Sequence, residues 1–365
     1  METKQITVLH LDTVSGWRGG QQQTVYLFQA MVQKGIHTVL ACQPDSEYKK
    51  YCELNNLPHC TMRMFGEWDL LAGFKLARLC KRKHFTIIHA HSAHALTLGI
   101  WTKMFNRSLK LIASRRVDFS IRKNVFSILK YDNSLVDKII CISEGIRQVL
   151  LDDGIPEEKL VTIHSGIDLN RYNDTHPPAS FRRDWSIPEN HIIVGTVAAL
   201  TGHKDYPNFL KAAKMVISKL PGVTFMAVGD GKDEQEIKSL ARELNLDKRF
   251  VFTGFQAEVG IFLKSFDIFV LASKLEGLGT SVLDAIAAGL PVVGTRAGGI
   301  PEMIKHNENG LLVEVGNSIA LADAIIELVN NKLKREEFSR NGKKTIQDFD
   351  IKNTIKKTIS LYESI

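Results

Sequence analysis

The chain has 365 residues, of which 44% are hydrophobic and 24% charged, and its formal net charge is +7. This length exceeds one ordinary hydrophobic core and predicts two domains of about 150 to 200 residues each. No apolar run approaches the ~20 residues of a membrane-spanning helix, and the chain leads directly into a strand without the pattern of a signal peptide, so we expect a cytoplasmic protein. The five cysteines show no C-x-x-C spacing, which favours reduced thiols over a zinc or redox site.

The first half alternates short β-branched runs with helical periodicity, a pattern typical of a parallel sheet covered on both faces. The predicted strands are 6–11, 38–41, 86–90, 109–114, 138–142 and 161–163, and the predicted helices are 21–33, 70–82, 93–105 and 144–151. A polar stretch that contains Pro177-Pro178 interrupts the alternation and is interpreted as a linker.

A second series follows, with predicted strands 192–197, 224–228, 250–253, 268–271 and 291–294, and predicted helices 206–220, 234–244, 318–330 and 335–348. We therefore predict an α/β protein with two doubly wound, Rossmann-like domains that face each other across a cleft. The predicted boundaries are 1–175, a linker 176–190, 191–348 and an amphipathic C-terminal helix in 349–365. Ligands of such sheets bind beyond the carboxyl ends of the strands.

Basic residues are concentrated between Lys75 and Lys130, where thirteen Lys and Arg accompany one acid, Asp118. One interpretation is a set of solvated helix faces. The other is a surface that meets an anionic membrane or an anionic acceptor, because basic residues near such a membrane contribute about 1 kcal/mol each. Nucleic acid is not favoured as a partner, because no DNA- or RNA-binding motif accompanies the charge.

The most informative segment is 276–295, in which Glu276 and Asp284 flank a Gly279-Thr280-Ser281 turn that opens a helix before a buried strand. The free N–H groups and the dipole of a helix N-terminus favour an anion such as a diphosphate, and Gly279 has no side chain to block its approach. The two carboxylates could hold hydroxyls at opposite ends of one ligand, such as a sugar and a ribose. The segment therefore predicts a nucleotide-sugar site.

Gly19-Gly20 follows the first strand and precedes an amphipathic helix, so it either lets the backbone approach a phosphate or forms a plain turn. The spacing is not G-x-G-x-x-G and no acid ends the second strand, which disfavours a dehydrogenase. Lys204 lies in a loop between a strand and a helix, where an ammonium group could neutralise an anionic leaving group or simply be solvated.

Three histidines, His89, His91 and His94, are clustered, and strand alternation places His89 and His91 on the same side of a strand end. No Cys or carboxylate completes a tetrahedral set, so we predict no metal site here. For His89 the simpler interpretation is a hydrogen-bonded core histidine.

Taken together, the order and spacing of these features resemble the retaining glycosyltransferases of the GT-B fold, group 1 (family 4), over nearly the whole chain. The signature of this family, carboxylate-x7-carboxylate, corresponds to Glu276 and Asp284. Other matching segments are Gly19-Gly20, His89-Ala90-His91, Ser165-Gly166-Ile167-Asp168, Lys204, Gly229-Asp230-Gly231 and Gly298-Gly299-Ile300-Pro301-Glu302. The resemblance implies sugar transfer from a nucleotide diphosphate sugar, by front-face displacement, without a metal or other cofactor. It also implies that the C-terminal helix packs on the first domain.

The resemblance assigns a role to each matching residue. It implies catalytic roles for His91, Lys204 and Glu276, and donor binding by Gly19, Gly20, Gly279, Thr280, Ser281 and Asp284. Lys204 and the N–H groups of the turn would stabilise the leaving diphosphate. Glu276 would hold the sugar, Asp284 the ribose, and His91 the far side of the sugar or the acceptor.

Two departures from the family pattern affect the donor site. Ala199 stands where members often carry Arg, and Asp284 is one methylene shorter than the usual Glu. They leave open an alternative, a nucleotide-sugar-binding protein that has lost turnover. A pyridoxal phosphate phosphorylase is disfavoured, because no distinct lysine-bearing cofactor motif is present. The implied acceptor is a glycan or glycolipid of the bacterial cell surface, lipopolysaccharide included, with peripheral contact at the inner face of the membrane through Lys75–Lys130.

Overall fold

A computed structural model gives the structure of residues 6–122 and 124–365. The chain divides into two compact units. The first ends at Gly166 and includes the C-terminal segment Ile351–Ile365, and the second is Ile167–Asp350. Within the described residues, no helix is long and apolar enough to cross a bilayer.

The first unit is built on a parallel sheet of seven strands in the order β3-β2-β1-β4-β5-β6-β7. Its strands are β1 Thr7–Leu11, β2 His37–Cys42, β3 His59–Thr61, β4 Ile87–Ala90, β5 Lys110–Arg115, β6 Lys138–Cys141 and β7 Leu160–Thr162. Its helices are α1 Gly19–Gln33, α2 Glu47–Leu54, α3 Leu70–Lys83, α4 Ala93–Phe105, α5 Val125–Tyr131 and α6 Glu144–Asp152. The central strands β1, β4, β5 and β6 are almost entirely buried, as expected for a sheet that helices cover on both faces.

The second unit has a parallel sheet of six strands in the order β10-β9-β8-β11-β12-β13. Its strands are β8 Ile192–Val197, β9 Val223–Val228, β10 Phe250–Phe252, β11 Ile268–Leu271, β12 Val292–Thr295 and β13 Gly310–Val313. Its helices are α7 Phe181–Asp184, α8 Tyr206–Lys219, α9 Glu234–Glu243, α10 Val259–Ser265, α11 Thr280–Ala287, α12 Ile300–Met303, α13 Ser318–Asn330 and α14 Lys332–Thr345. The predicted fold class, two Rossmann-like α/β domains, is confirmed.

Helix α15, Ile351–Glu363, packs against the first unit. The apolar side of this amphipathic helix places Ile355 and Tyr362 in one hydrophobic cluster with Val8 of β1 and Met31 of α1. The segment 176–190, predicted as a linker, contains α7. Its Phe181 is buried and packs edge-on against Phe262, with 5.5 Å between the ring centroids.

Each sheet has one point where neighbouring strands lead to helices on opposite faces. In the first sheet β1 lies between β2 and β4, and in the second β8 lies between β9 and β11. Such a switch point opens a crevice at the carboxyl ends of the two strands, where ligands of doubly wound sheets bind. The loops after β1 and β4, and those after β8 and β11, are therefore the places to look for a site.

Candidate active site

The predicted site residues follow the strands of the two switch points. In the first unit Gly19 and Gly20 begin α1, after β1, and His91 directly follows β4. In the second unit Lys204 ends a 3₁₀ turn after β8, and Glu276 lies in the loop after β11. Four separate segments thus bring their predicted functional residues to the carboxyl edges of the two sheets.

Lys204 and Glu276 form an ion pair in the second unit. Both side chains are largely buried, and the same Glu276 oxygen accepts a hydrogen bond from the Ser273 hydroxyl at 3.1 Å. The backbone also holds this loop, since the Gly299 N–H donates to the Glu276 carbonyl at 3.2 Å and the Thr295 hydroxyl donates to the Ser273 carbonyl at 2.6 Å. The carboxylate therefore has a fixed position, and its charge is neutralised by Lys204.

Helix α11 begins directly beside this ion pair. Gly279 precedes the helix with φ of +88°, a left-handed conformation that glycine adopts without strain, and a Cβ there would lie 3.2 Å from Cγ of Glu276. No side chain caps the N-terminus, and the first turn, which contains Thr280 and Ser281, carries no acidic residue. The first N–H groups of α11 thus remain available to an anion close to the Lys204 ammonium.

Asp284 lies one turn further along α11 and accepts a hydrogen bond from the Tyr172 hydroxyl at 2.8 Å. Burial raises the pKa of Asp284, while the Tyr172 hydroxyl and the nearby Arg171 guanidinium oppose this rise. The Arg171 guanidinium stacks over the Tyr172 ring, 5.5 Å from its centroid. Sequence reasoning missed Tyr172, because a lone tyrosine 112 residues away gives no signal of its contact with Asp284. Ala199, which stands where members of the family often carry Arg, is exposed and supplies no positive charge.

In the first unit, the side chain of Arg116 lies over the start of α1. A Cβ at Gly20 would lie 3.2 Å from Cδ of Arg116, so the absence of a side chain at Gly20 makes room for the arginine. Among the described residues, buried Nε of Arg116 has no hydrogen-bond partner, and burial lowers the pKa of this guanidinium although Tyr48 and Asp12 oppose the shift. The first turn of α1 contains no acidic residue, and Arg18, at the N-cap position, donates its backbone N–H to Oε1 of Gln21 at 3.1 Å.

This arrangement is the reverse of what a helix dipole favours, because cations next to a helix N-terminus are unfavourable and anions are favourable. Asp12, whose carboxylate acts electrostatically on Arg116, accepts hydrogen bonds from Tyr48, Gln21 and the Val14 N–H. Arg116 and the start of α1 together are thus suited to an anionic group of a ligand. One weak signal of this role was present in the sequence, since Arg116 stands in the basic stretch two residues after the predicted strand 109–114.

Three buried histidines form a group beside Arg116. His10 of β1 pairs in register with His89 of β4, and His91 follows on the same face, with 4.0 Å between the ring centroids of His89 and His91. Nδ1 of His10 lies 2.8 Å from Nε2 of His91, while His89 is hydrogen-bonded to Tyr362 and Ser114. Burial lowers the pKa of His10 to about 3 and also lowers the pKa of His89 and of His91.

His91 is therefore a neutral imidazole, able to donate or accept one hydrogen bond but not to neutralise an anion. Nδ1 of His91 and Nε2 of His10 are buried and have no hydrogen-bond partner within residues 6–122 and 124–365. Among the described residues these three histidines form one group whose geometry could hold a metal ion. The histidine that joins His89 and His91 in this group is His10, which sequence reasoning missed. His94, which belongs to the cluster seen in the sequence, is not the third member.

Two Rossmann-like α/β units whose switch points carry these side chains define the GT-B class of glycosyltransferase. The family comparisons agree with this class. The model described as "Glycosyl transferases group 1" matches residues 179–345, and that described as "Glycosyltransferase Family 4" matches residues 17–171. The chain belongs to the group 1 glycosyltransferases and is an enzyme of that family.

Several proteins resemble the chain over most of its length. An N-acetyl-alpha-D-glucosaminyl L-malate synthase of Bacillus anthracis is 26% identical, over 82% of this chain and 79% of the relative. The lipopolysaccharide core biosynthesis glycosyltransferase LpsE of Rhizobium meliloti is 25% identical over 90% of each. The crystal structure of Anabaena HepE in complex with UDP and glucose superposes with a TM-score of 0.85 at 21% identity, covering 99% of this chain and 100% of that one.

Proposed function

We propose that this enzyme transfers a sugar from a nucleotide diphosphate sugar to a glycan or glycolipid acceptor, with retention of the anomeric configuration. The observation that carries the proposal is the Lys204–Glu276 ion pair beside the uncapped N-terminus of α11. A cation, a carboxylate and free N–H groups are then available to a diphosphate and a sugar within one short segment of the second unit.

The ion pair suggests how the donor is accommodated. Before binding, Lys204 and Glu276 neutralise each other, which limits the cost of burying two charges. When a diphosphate reaches the start of α11, the Lys204 ammonium moves from the carboxylate to the phosphate oxygens. Glu276 is then free to accept hydrogen bonds from hydroxyls of the sugar. Thr280 and Ser281 contribute their N–H groups, and Gly279 permits the close approach.

In the proposed reaction, the bond between the anomeric carbon and the diphosphate oxygen breaks as the acceptor oxygen bonds to the same face of that carbon. The acceptor proton passes to the departing phosphate oxygen, so no enzymic nucleophile is needed. Negative charge develops on the diphosphate, where Lys204 and the α11 N–H groups stabilise it more strongly than in the ground state. Those groups take the place of a metal ion, and we propose that no cofactor is required.

The first unit contributes neutral and cationic groups. His91, kept neutral by burial, offers a hydrogen bond to a hydroxyl of the sugar or of the acceptor. Gly20 and Arg116 at the start of α1 bind an anionic group of the substrates. Asp284 accepts from a ribose hydroxyl, in exchange for or in addition to the Tyr172 hydroxyl.

The names of the relatives indicate which substrates to test first. LpsE is a lipopolysaccharide core glycosyltransferase, and HepE was crystallised with UDP and glucose. UDP-sugars and acceptors of the lipopolysaccharide core are therefore the first choice, followed by GDP- and ADP-sugars. Thermal shift identifies the donor, because a ligand at a hundredfold over its dissociation constant stabilises the folded state by about 2.7 kcal/mol.

The decisive measurement is the anomeric configuration of the product by NMR. We expect retention of the donor configuration, together with slow donor hydrolysis when no acceptor is present. An inverted product contradicts the front-face reaction. Donor binding with neither transfer nor hydrolysis contradicts the proposed use of Lys204 and Glu276.

A further inference from the structure

An exposed apolar surface runs along the outer side of the first unit. It includes the loop before α3 and the outer faces of α3, α4 and α5. We call this surface the apolar strip and define it by Phe65, Trp68, Leu71, Phe74, Phe105 and Phe126, which are between 49% and 82% exposed. Single exposed apolar residues are normal, but a contiguous set of this kind marks an interaction site.

Ring contacts join aromatic side chains of this surface in two groups. The Trp68 ring lies 6.0 Å from that of Phe126, at an interplanar angle of 90°, and 6.2 Å from that of Trp101 in α4. The rings of Phe74 in α3 and Phe105 in α4 meet edge-on at 5.5 Å. Each group includes one aromatic residue of α4, so the loop and the helices α3, α4 and α5 all contribute to this surface.

Helix α3 continues the strip with a basic row. Along its outer face, apolar Leu71 and Phe74 are followed by Lys75, Arg78, Lys81, Arg82 and Lys83, all exposed. None of these five cations has an ion-pair partner among residues 6–122 and 124–365, and helices α3, α4 and α5 contain no Asp or Glu. The row is thus an uncompensated cluster of five positive charges next to an apolar surface.

The structure also shows which basic residues of the Lys75–Lys130 stretch are not part of this row. Lys103 is buried and forms an ion pair with Asp137, and Lys130 is buried and paired with Glu67 at 2.6 Å. Two acids border the strip, Glu67, which is paired with Lys130, and Asp69, which caps α3 by accepting from the Ala72 N–H. Ion pairs explain part of the basic stretch, since Lys110 and Arg122 are also paired, with Asp137 and Asp153. Five of the other basic residues lie on α3.

A cavity of about 540 Å³ opens where the strip meets the basic row, at the C-terminal ends of α3 and α4. It is lined by Phe74, Phe105, Arg78, Lys81, His84 and Asn106. The adjoining residue Thr86 precedes β4, so the cavity lies at the amino ends of the strands of the first sheet, whereas His91 lies at their carboxyl ends. The cavity is therefore separate from the candidate active site.

We propose that the strip and the basic row form a docking surface for an anionic lipid bilayer. The aromatic and aliphatic side chains enter the boundary between headgroups and acyl chains, as the apolar face of an interfacial helix does. The α3 cations contact lipid phosphates, and one headgroup occupies the cavity. A bilayer fits better than a protein partner, because five unpaired cations without any acid on the three helices match a uniformly anionic surface. The inference does not depend on the proposed sugar transfer.

The electrostatic part is tested by co-sedimentation with vesicles of phosphatidylcholine, with and without phosphatidylglycerol. We expect binding to the anionic vesicles at low salt, weakening as salt rises and charges are screened. A K81Q/R82Q/K83Q variant should partition about a hundredfold more weakly, since each basic residue near such a surface contributes about fivefold. The control K344Q/K356Q/K357Q removes the same charge from exposed lysines elsewhere and should bind as the wild type does.

The apolar part is tested with Trp68→Ser and Phe126→Ser, matched by Phe255→Ser, which replaces a phenylalanine of the second unit that is 72% exposed. The first two should weaken vesicle binding tenfold or more, and the control should not. A measurement on the wild type avoids any fold defect of a variant. Lipids with brominated acyl chains should quench its tryptophan fluorescence, and the quenching should be smaller in Trp68→Phe. Absent binding at low salt, equal binding to neutral and anionic vesicles, or no quenching would each overturn the proposal, whatever the outcome for sugar transfer.

Discussion

The carboxyl edges of the two sheets differ in how they treat charge. In the second unit the cation of the site, Lys204, is paired with Glu276, and that carboxylate is fixed further by Ser273. In the first unit Arg116 lies partly buried without a hydrogen-bond partner for Nε, next to histidines that burial keeps neutral. The cation of the second unit thus has an ion-pair partner without a ligand, whereas Nε of Arg116 in the first unit has no hydrogen-bond partner among the described residues.

Because of this difference, we expect the two edges to respond differently to a bound substrate. To bind a diphosphate, Lys204 must exchange the Glu276 carboxylate for phosphate oxygens. We therefore expect its interaction energy to act where negative charge develops on the leaving diphosphate. A buried guanidinium Nε without a hydrogen-bond partner is costly, and an anion that reaches Arg116 reduces this cost at binding. We therefore expect substitutions in the second unit to lower turnover, and those in the first unit to weaken binding.

Lys204→Ala should have the largest effect. It removes the cation that stabilises the departing diphosphate, so we expect kcat to fall about a hundredfold or more, as when one oxyanion donor is lost. Lys211→Ala, an exposed lysine in the neighbouring helix α8, is the matched control and should retain the wild-type rate. Steady-state kinetics with the identified donor and acceptor make the measurement. An unchanged rate for Lys204→Ala would remove this lysine from the reaction.

Glu276→Gln should lower turnover about tenfold or more, equivalent to about 1.4 kcal/mol of barrier. The amide keeps the size of the side chain but accepts hydrogen bonds more weakly and no longer neutralises Lys204. The fold should persist, because Glu276 lies in a loop and the core does not depend on it. Circular dichroism checks the fold, and wild-type kinetics from a folded variant would contradict the role of this carboxylate.

The fold could be predicted from the sequence because its signals are local. Strand β8 and helices α4 and α13 have the predicted bounds. Each has clear periodicity, and the two helices also begin after a capping residue, Ser92 or Asn317. The elements missed are short or at a sheet edge, such as β3 and β13. Three or four residues carry too little periodicity to separate a strand from a loop.

The site could be predicted only as far as its motifs are continuous in sequence. Glu276 and the α11 turn belong to one segment, and resemblance added Lys204. Arg116, Tyr172 and His10 gave little signal, because their roles arise from contacts between segments distant in sequence. His10, for example, joins His91 only because β1 and β4 are neighbours in the sheet. The assignment of catalytic and donor-binding roles stays a prediction.

Arg116→Gln sharpens the contrast in the first unit. We expect the KM of one substrate to rise about tenfold with a smaller change in kcat, because the arginine contributes a charge-assisted hydrogen bond to an anionic group. Arg107→Gln, an exposed arginine that ends no site-forming strand, is the control. A fall in kcat at unchanged KM would show instead that Arg116 acts in the transition state. The proposed division of roles between the units would then be wrong.

Asp284→Asn should separate binding from stability. Burial raises the pKa of Asp284, so the folded state holds its proton to higher pH than the unfolded chain, and stability is lost as pH rises through that window. The variant should melt at a higher temperature than the wild type at pH 7, and the difference should vanish below the ordinary Asp pKa of about 3.9. Donor affinity should fall, because the amide is a poorer acceptor for ribose. Asp247→Asn, exposed in the same unit, should change neither quantity.

Metal removal should have the smallest effect. Lys204 and the N-terminus of α11 supply the positive charge that a divalent ion provides in other transferases, and the D-x-D pair at Asp348 and Asp350 follows a helix, not a strand. We expect EDTA to change the rate by less than about twofold. Complete loss that magnesium restores would contradict a charge balance built on Lys204. Metal analysis of the purified enzyme completes the test, because a tightly held ion at His10, His89 and His91 would survive brief chelation and still appear there.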